Sequence, residues 1–366
     1  MEKVLNYPLS PVPWSLSSPD GLPLKTNKAT LLHKLENTFN CFESQDFSRQ
    51  PNTAYIIHGN ALLPCLSSDP DIFRELAKQA FRSLPQTASA VHFVTDTYKT
   101  DSIKSCQCLR RDASTAKSYV LQGSATKVPK NFKEFLSNDG NKKGLISFLC
   151  AEWASDAYAH LLMNKEFFFV NEEMCELLTG NQGSVNSIPV PDLYSSHEEA
   201  DSRIILHCMY ASQQPTTERV IVRPPDSDVF LLPLSLSDAI NKPLIFDTGS
   251  GNNRRQLNIT DLAATMSKRL CDAIIGLQAF TGCNSTSCFA GKGKLKALKM
   301  LQGDQDLQET FSRFGTLETI SGQDMQVIET FVCQLYGKPS HIRVRYDKKS
   351  DNVSRARKVF FQIQRE

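Results

Sequence analysis

The sequence predicts an α/β fold built on a mainly parallel, doubly wound sheet. Three observations carry that expectation. Short apolar runs of strand length stop at polar or acidic residues. Stretches with helical spacing of apolar residues lie between those runs. A length of 366 residues allows one elaborated α/β domain or two domains, each with its own core.

Along the chain, residues 1–50 are rich in Pro, Ser and Asn around one amphipathic stretch (Ala29, Leu31, Leu32, Leu35, Phe39), which reads as an arm with a short helix. The first strand is Ala54–Ile57, ending at His58-Gly59, and helical spacing follows through Ile72, Phe73, Leu76 and Phe81. Val91–Val94 is the second strand and stops before Asp96. After a polar segment carrying Lys99, Lys104, Arg110 and Arg111, helical spacing resumes over 131–136 and 145–162. Phe167–Val170, Val220–Val222 and Leu244–Phe246 read as further strands, with a helix starting near Ser195-Ser196 before the second of them. From Ala264 to about Leu301 the pattern is helical. The expected division is an arm over 1–50, a core over 51–266, a helical element over 267–301 and a helical, basic extension over 302–366.

Composition removes whole classes of function. With 40% hydrophobic and 22% charged residues the chain is neither disordered nor membrane-spanning, since its apolar runs, such as Leu145–Cys150, are too short to cross a bilayer. A net charge of +2 gives no global field for nucleic acid, so such a partner must be held by local patches. Met1–Ser10 has no apolar core of signal-peptide length, and the chain reads as intracellular, nuclear if DNA is its substrate. The eleven cysteines lack paired Cys-x2-Cys spacing and read as mostly free, buried thiols.

The acids at strand ends carry the chemistry. Asp96 follows one strand, Asp226 and Asp228 follow another, and Glu198-Glu199-Ala-Asp201 opens a helix. Residues two apart in an extended segment face the same way, so Asp226 and Asp228 converge. Clustered carboxylates repel unless a cation neutralises them, and one or two Mg²⁺ or Mn²⁺ ions would do so while activating water on a phosphodiester. The simpler reading of each acid is local: Asp226 and Asp228 as turn residues or caps, and Ser196-x-x-Glu199 as a capping box.

Taken together, the motifs resemble the flap endonuclease family, structure-specific nucleases of the PIN-like fold, over roughly residues 54 to 301. Glu199-Ala-Asp201-Ser-Arg-Ile is similar to the family's internal acidic helix motif and Pro225-Asp226-Ser-Asp228-Val to its Asp-x-Asp motif. Leu277-Gln-Ala-Phe-Thr-Gly282-Cys283-Asn284 is similar to a segment that in the family ends in Gly-Cys-Asp. Phe289-Ala-Gly291-Lys-Gly293-Lys294 and the residues to Leu301 resemble its helix-two-turn-helix. The spacing between motifs is that of a divergent branch, similar to uncharacterised proteins associated with mobile elements. The resemblance implies that Asp96, Glu199, Asp201, Asp226 and Asp228 are catalytic metal ligands for Mg²⁺ or Mn²⁺. His58 and Asn284 stand where the family has two further acids, which implies a weakened site.

The implied partner is nucleic acid, in particular branched or flapped DNA, with no membrane. Gly291, Lys292, Gly293 and Lys294 form a phosphate cradle in this reading, with Lys296 and Lys299 beyond it, and Lys99, Lys104, Arg110 and Arg111 a basic gateway. Each of these charge runs also reads as an ordinary solvated face. The implied function is thus nucleic-acid binding with impaired metal-dependent hydrolysis, and the alternative is a catalytically inactive PIN-fold binding module. A remote alternative is an aspartic protease, from Phe246-Asp247-Thr248-Gly249-Ser250, although no second such motif supplies the partner aspartate. In the nuclease reading Asp247 is a turn residue, with Arg254 and Arg255 near phosphate.

Overall fold

Strands of almost continuous apolar residues can be satisfied only by burial on both faces, and that is how the central strands are used. The structure, a computed structural model, describes residues 15–27, 29–39, 42–43, 50, 52–66, 70–99, 117–224, 228–283, 286–316 and 319–337. It contains an eight-stranded sheet: β1 Thr53–His58, β2 Ala90–Val94, β3 Glu166–Asn171, β4 Met174–Asn181, β5 Ser184–Pro189, β6 Arg219–Arg223, β7 Leu244–Thr248 and β8 Arg255–Asn258. The order is β5-β4-β3-β2-β1-β6-β7-β8, with β3, β2, β1, β6 and β7 parallel and β4, β5 and β8 added antiparallel. The five strands expected from sequence are the five parallel ones. The fold is α/β, as expected.

The helices are α1 Ala29–Phe39, α2 Phe73–Arg82, α3 Phe132–Ser137, α4 Asp139–Trp153, α5 Ala200–Gln213, α6 Asp228–Ser235, α7 Ile259–Thr265, α8 Lys268–Phe280, α9 Lys294–Gly303, α10 Gln305–Ser312 and α11 Gly322–Leu335. The chain divides into two compact units. One is drawn from Phe42–Asp226 and Ser237–Thr260 and holds the sheet; the other is drawn from Met1–Cys41, Ser227–Leu236 and Asp261–Glu366. The N-terminal stretch expected as an arm therefore contributes to a core: Leu31 and Leu35 of α1 are fully buried, and α1 packs on α6 and α9 within the second unit.

In the sheet unit, alternation along each strand builds two cores. Tyr55, Ile57, Val91, Phe93, Phe167, Phe169, Ile221 and Ile245 face α2, α3 and α4. Trp153 fills the middle of that face, edge-on to Phe81, Phe93, Phe167 and Phe169, and its indole N–H donates to the Ala77 carbonyl (3.1 Å). The opposite face of β1, β2 and β6 is covered by α5, whose Ile204, His207, Cys208 and Ala211 are buried. After β3 the chain returns to the other side of β1 through α5, and a crossover of constant hand running in the opposite direction puts its helix on the opposite face.

The face under α5 holds a buried histidine pair. His92 Nδ1 and His207 Nδ1 are 2.9 Å apart, and His92 stacks on Phe168 with ring centres 4.1 Å apart. One ring must donate and the other accept, so a proton on both Nδ1 atoms breaks the contact. Burial, and then the Arg203 charge, push His207 down to about 3; burial, and then His207, hold His92 well below the ordinary histidine range. The unfolded chain therefore binds more protons below about pH 6.5, and stability is full above that pH and lost as it falls. Between pH 7 and pH 6 the pair is expected to cost about 1.4 kcal/mol of unfolding free energy. Urea unfolding at the two pH values checks this; a His207→Asn variant with the same pH slope as the parent chain would sink it.

The β4–β5 hairpin and β8 carry no strand signal in the sequence because their residues are largely half or fully exposed, without clean alternation. A turn signal existed in Asn181-Gln-Gly-Ser184: Gln182 (φ 45°) and Gly183 (φ 90°) form the two-residue turn of positive φ that matches strand twist. The outer edge of β5 is blunted. Asp156 Oδ1 accepts the Val185 N–H (2.9 Å), and Pro189 has no N–H to offer. The eight described cysteines are free thiols, five of them buried (Cys150, Cys175, Cys208, Cys271, Cys333).

Candidate functional site

The carboxyl ends of parallel strands are where open α/β sheets gather ligands. In this sheet three of the expected residues meet there. His58, the last residue of β1, is buried. Its Nε2 lies 3.8 Å from Asp96 Oδ1 and 3.9 Å from Asp201 Oδ1. Asp96 follows β2, and Asp201 is in the first turn of α5. Asp96 is nearly buried, with a side-chain exposure of 10%, whereas Asp201 at 34% faces outward.

Local chemistry explains the convergence. Gly59 lets the chain turn directly under β2: a Cβ there would lie 2.5 Å from the Phe93 ring and 2.9 Å from Thr95. The turn places Asn60 so that its Oδ1 accepts the Asp96 N–H (3.0 Å) and its Nδ2 donates to the Tyr98 hydroxyl (2.6 Å). Asp96 Oδ1 in turn accepts the Ala200 N–H (2.9 Å), so a carboxylate from the loop after β2 caps α5. The capping box at Ser196-x-x-Glu199 is not formed. Glu199 itself is the exposed N-cap, without a side-chain cap bond, because Asp96 already holds an amide at the helix start.

Sequence reasoning missed Arg203, which is 1% exposed and lies two residues beyond Asp201 in α5. Its guanidinium donates to five oxygens, of Thr95, Thr97, Glu172, Ser195 and His197. The signal was an arginine on the apolar side of an amphipathic helix, which a charged residue occupies only when its donors are satisfied.

The remaining expected residues fare differently. Lys99 Nζ donates to the Ser196 carbonyl (2.8 Å) and pairs with Glu173 (3.2 Å), which ties the strand-end loop down. Asp228 is the first residue of α6. Asp226, Asn284, Lys104, Arg110 and Arg111 lie outside the described residues. In the second unit Gly291 and Gly293 are exposed, and Lys292 Nζ lies 4.8 Å from the centre of the Tyr336 ring. Lys294 is a correction to the phosphate cradle. It is 2% exposed and turned inward, donating to Gln278 O (3.1 Å), Thr281 Oγ1 (3.2 Å) and Gly282 O (2.6 Å), where carbonyls at the end of α8 need donors. Lys296 likewise reaches the last carbonyls of α11, Gln334 O (3.2 Å) and Leu335 O (2.8 Å).

Asp247 is also corrected. It is a strand residue of β7 opposite Gln256, not a turn, and is fully buried. Arg254 grips it with both arms of its fork (Nε to Oδ1 3.0 Å, Nη2 to Oδ2 2.8 Å), and the Tyr55 hydroxyl donates to Oδ2. Arg254 is thereby committed to a carboxylate instead of a phosphate. A carboxylate so gripped is unlike the pair that shares a proton in an aspartic protease. Burial, and then the Asp247 charge, push the Tyr55 phenol far up, so it remains a donor.

Among the described residues no three His, Cys, Asp or Glu side chains close around a point as metal ligands do. His58, Asp96 and Asp201 do not fit Mg²⁺ on their own, because an imidazole nitrogen stands 3.8 Å and 3.9 Å from the two carboxylates where that hard cation prefers oxygen, while Mn²⁺ tolerates the nitrogen.

No family model and no curated protein matches the chain. Among solved structures, flap endonuclease-1 from Methanococcus jannaschii is similar at 12% identity and a TM-score of 0.35, covering 88% of this chain and 95% of that one. A likeness that distant does not bear on chemistry.

Proposed function

We propose that this chain is a PIN-like nucleic-acid-binding protein whose acidic edge has lost most of its capacity for metal-dependent phosphodiester hydrolysis. One observation carries the reading: Asp96 and Asp201, distant in sequence, both come within 4 Å of the His58 imidazole, at 3.8 Å and 3.9 Å, at the carboxyl ends of parallel strands. The meeting of the two acids supports descent from a nuclease site. The imidazole beside them supports attenuation, since a nitrogen ligand is poor for Mg²⁺ and at best tolerated by Mn²⁺. Branched or flapped DNA is the preferred partner in this reading, on the strength of the motif order. A pure binding module differs from it only in having no residual cleavage at all.

The experiment uses the purified full chain with labelled 5′-flapped DNA, blunt duplex and single-stranded RNA, in Mg²⁺ and in Mn²⁺. The parent chain is expected to retain the flapped DNA and to cut it little or not at all. The double variant His58→Asp/Asn284→Asp is expected to gain Mn²⁺-dependent cleavage by at least about tenfold, with Asp201→Asn removing the gain. A parent chain that leaves all three nucleic acids unbound would overturn the reading. A double variant that binds but stays inert would reduce it to the pure binding module.

A further inference from the structure

Two carboxylates from remote parts of a chain repel, so the loop after β2 must be held against the start of α5 by other bonds. Asp96 N–H to Asn60, Thr95 Oγ1 to Val170 O and Thr97 Oγ1 to Glu172 O tie that loop to the turn after β1, to β3 and to the β3–β4 turn. We infer that Arg203 is the positioning residue of the acidic edge, clamping the loop that carries Asp96 to the turn that delivers Asp201. This inference rests on the nucleic-acid-binding reading above for what the edge does, but not for how it is held.

The geometry is unusual for an arginine. A guanidinium has five N–H donors in a rigid fork, and all five are used in a buried setting. Nε donates to His197 O (2.8 Å); Nη1 donates to Thr95 O (3.3 Å) and Glu172 O; Nη2 donates to Thr97 Oγ1 (2.6 Å) and Ser195 O (2.7 Å). Thr95 and Thr97 are the two neighbours of Asp96, so the fork grips the backbone on one side of the acid and a hydroxyl on the other. Ser195 and His197 belong to the segment leading into α5, and Glu172 to the turn between β3 and β4. One side chain thus fixes three segments relative to the helix that bears Asp201.

None of the five acceptors is a carboxylate, so the charge is hydrogen-bonded without being cancelled by a direct ion pair. Asp96, Glu173 and Glu172 are the acids whose fields act on it, with Asp96 first among them. The guanidinium is therefore a fixed positive charge beside the acidic edge, in the part of the protein where water screens least. Two backbone amides report on the clamp: Thr97 N–H, which donates to Glu198 O (2.8 Å), and Ala200 N–H, which donates to the Asp96 carboxylate at Oδ1 (2.9 Å). Both cross from the Asp96 loop to the start of α5.

Lysine cannot replace this fork, because it offers three donors from a single point. The test compares the parent chain with Arg203→Lys and with the milder Thr97→Val, which removes one acceptor while leaving the arginine. Phe81→Leu, on the opposite face of the sheet, is the control for general loss of stability. Hydrogen exchange by NMR should show the Thr97 and Ala200 amides losing protection by about tenfold or more in Arg203→Lys, and by about threefold in Thr97→Val, while β1 amides keep theirs. Affinity for flapped DNA should fall in the same order, by about tenfold for Arg203→Lys, and stay level in Phe81→Leu. Unchanged protection at both amides in a folded Arg203→Lys overturns the clamp. Lost protection with unchanged affinity overturns its role in the site. A parent chain that binds no nucleic acid defeats the proposed function instead, and the exchange data then judge the clamp alone.

Discussion

Replacing Arg254 by alanine is expected to lower the unfolding free energy by about 3–5 kcal/mol, although the arginine side chain is one-third exposed. The cost comes from its partner. Asp247 is fully buried, and without the guanidinium fork its carboxylate would keep the Tyr55 hydroxyl but lose both charge-assisted bonds. Asp247→Asn should cost less, since Arg254 can turn toward water while the amide still accepts from Tyr55. Replacing both partners, Asp247→Leu with Arg254→Met, should recover much of the loss, because an apolar pair needs no desolvated charge to be matched. A double-mutant cycle from urea unfolding checks all three. If Arg254→Ala unfolds within about 1 kcal/mol of the parent chain, the pair is not holding β7 and β8 as described.

Lys294→Met should cost about 2–4 kcal/mol, a large effect for a residue that composition alone reads as a surface charge. Methionine keeps the length of the stem but leaves the Gln278 and Gly282 carbonyls, and the Thr281 hydroxyl, without their ammonium donor in a buried setting. The segment they belong to is already constrained. Gly282 has φ +114° and a Cβ there would lie 2.8 Å from Cys288, so the chain cannot shift to find new donors. Lys294→Arg should not rescue, since the planar fork does not fit a cluster of oxygens gathered about one nitrogen. Thermal unfolding of the full chain gives the comparison, and a midpoint shift smaller than about 2 °C for Lys294→Met would sink the assignment. Flapped-DNA affinity of Lys292→Ala, whose side chain lies over Tyr336, provides a contrasting measure of surface lysines in the same segment.

The same residue types therefore divide by environment in a way that sequence position does not announce. Lys292 and Lys294 are two apart in one glycine-rich stretch, yet one lies beside an aromatic ring and the other inside the unit. Asp96 and Asp247 both sit at or just past strand ends, yet one caps a helix beside the site and the other anchors a hairpin. Periodicity reports burial of apolar residues well; it reports poorly on polar residues that are buried because all their bonds are met.

What the sequence by itself determined is the set of parallel strands and the helices after β1 and before β6. Their apolar runs and helical spacing have one way to be buried, and a parallel pair needs a crossover helix. It also marked His58, Asp96 and Asp201 as candidates through the motif order, and these three do meet. The antiparallel strands, the core role of α1 and the inward turn of Lys294 were decided only by tertiary structure. The strands and the lysine are polar or half exposed, the apolar face of α1 is covered by α6 and α9 from far along the chain, and the fate of all three depends on such remote partners. Arg203 is the clearest instance: its identity is local, but the five oxygens that let a charge lie buried come from β2, the β3–β4 turn and the entry to α5, and only the folded chain brings them to one place.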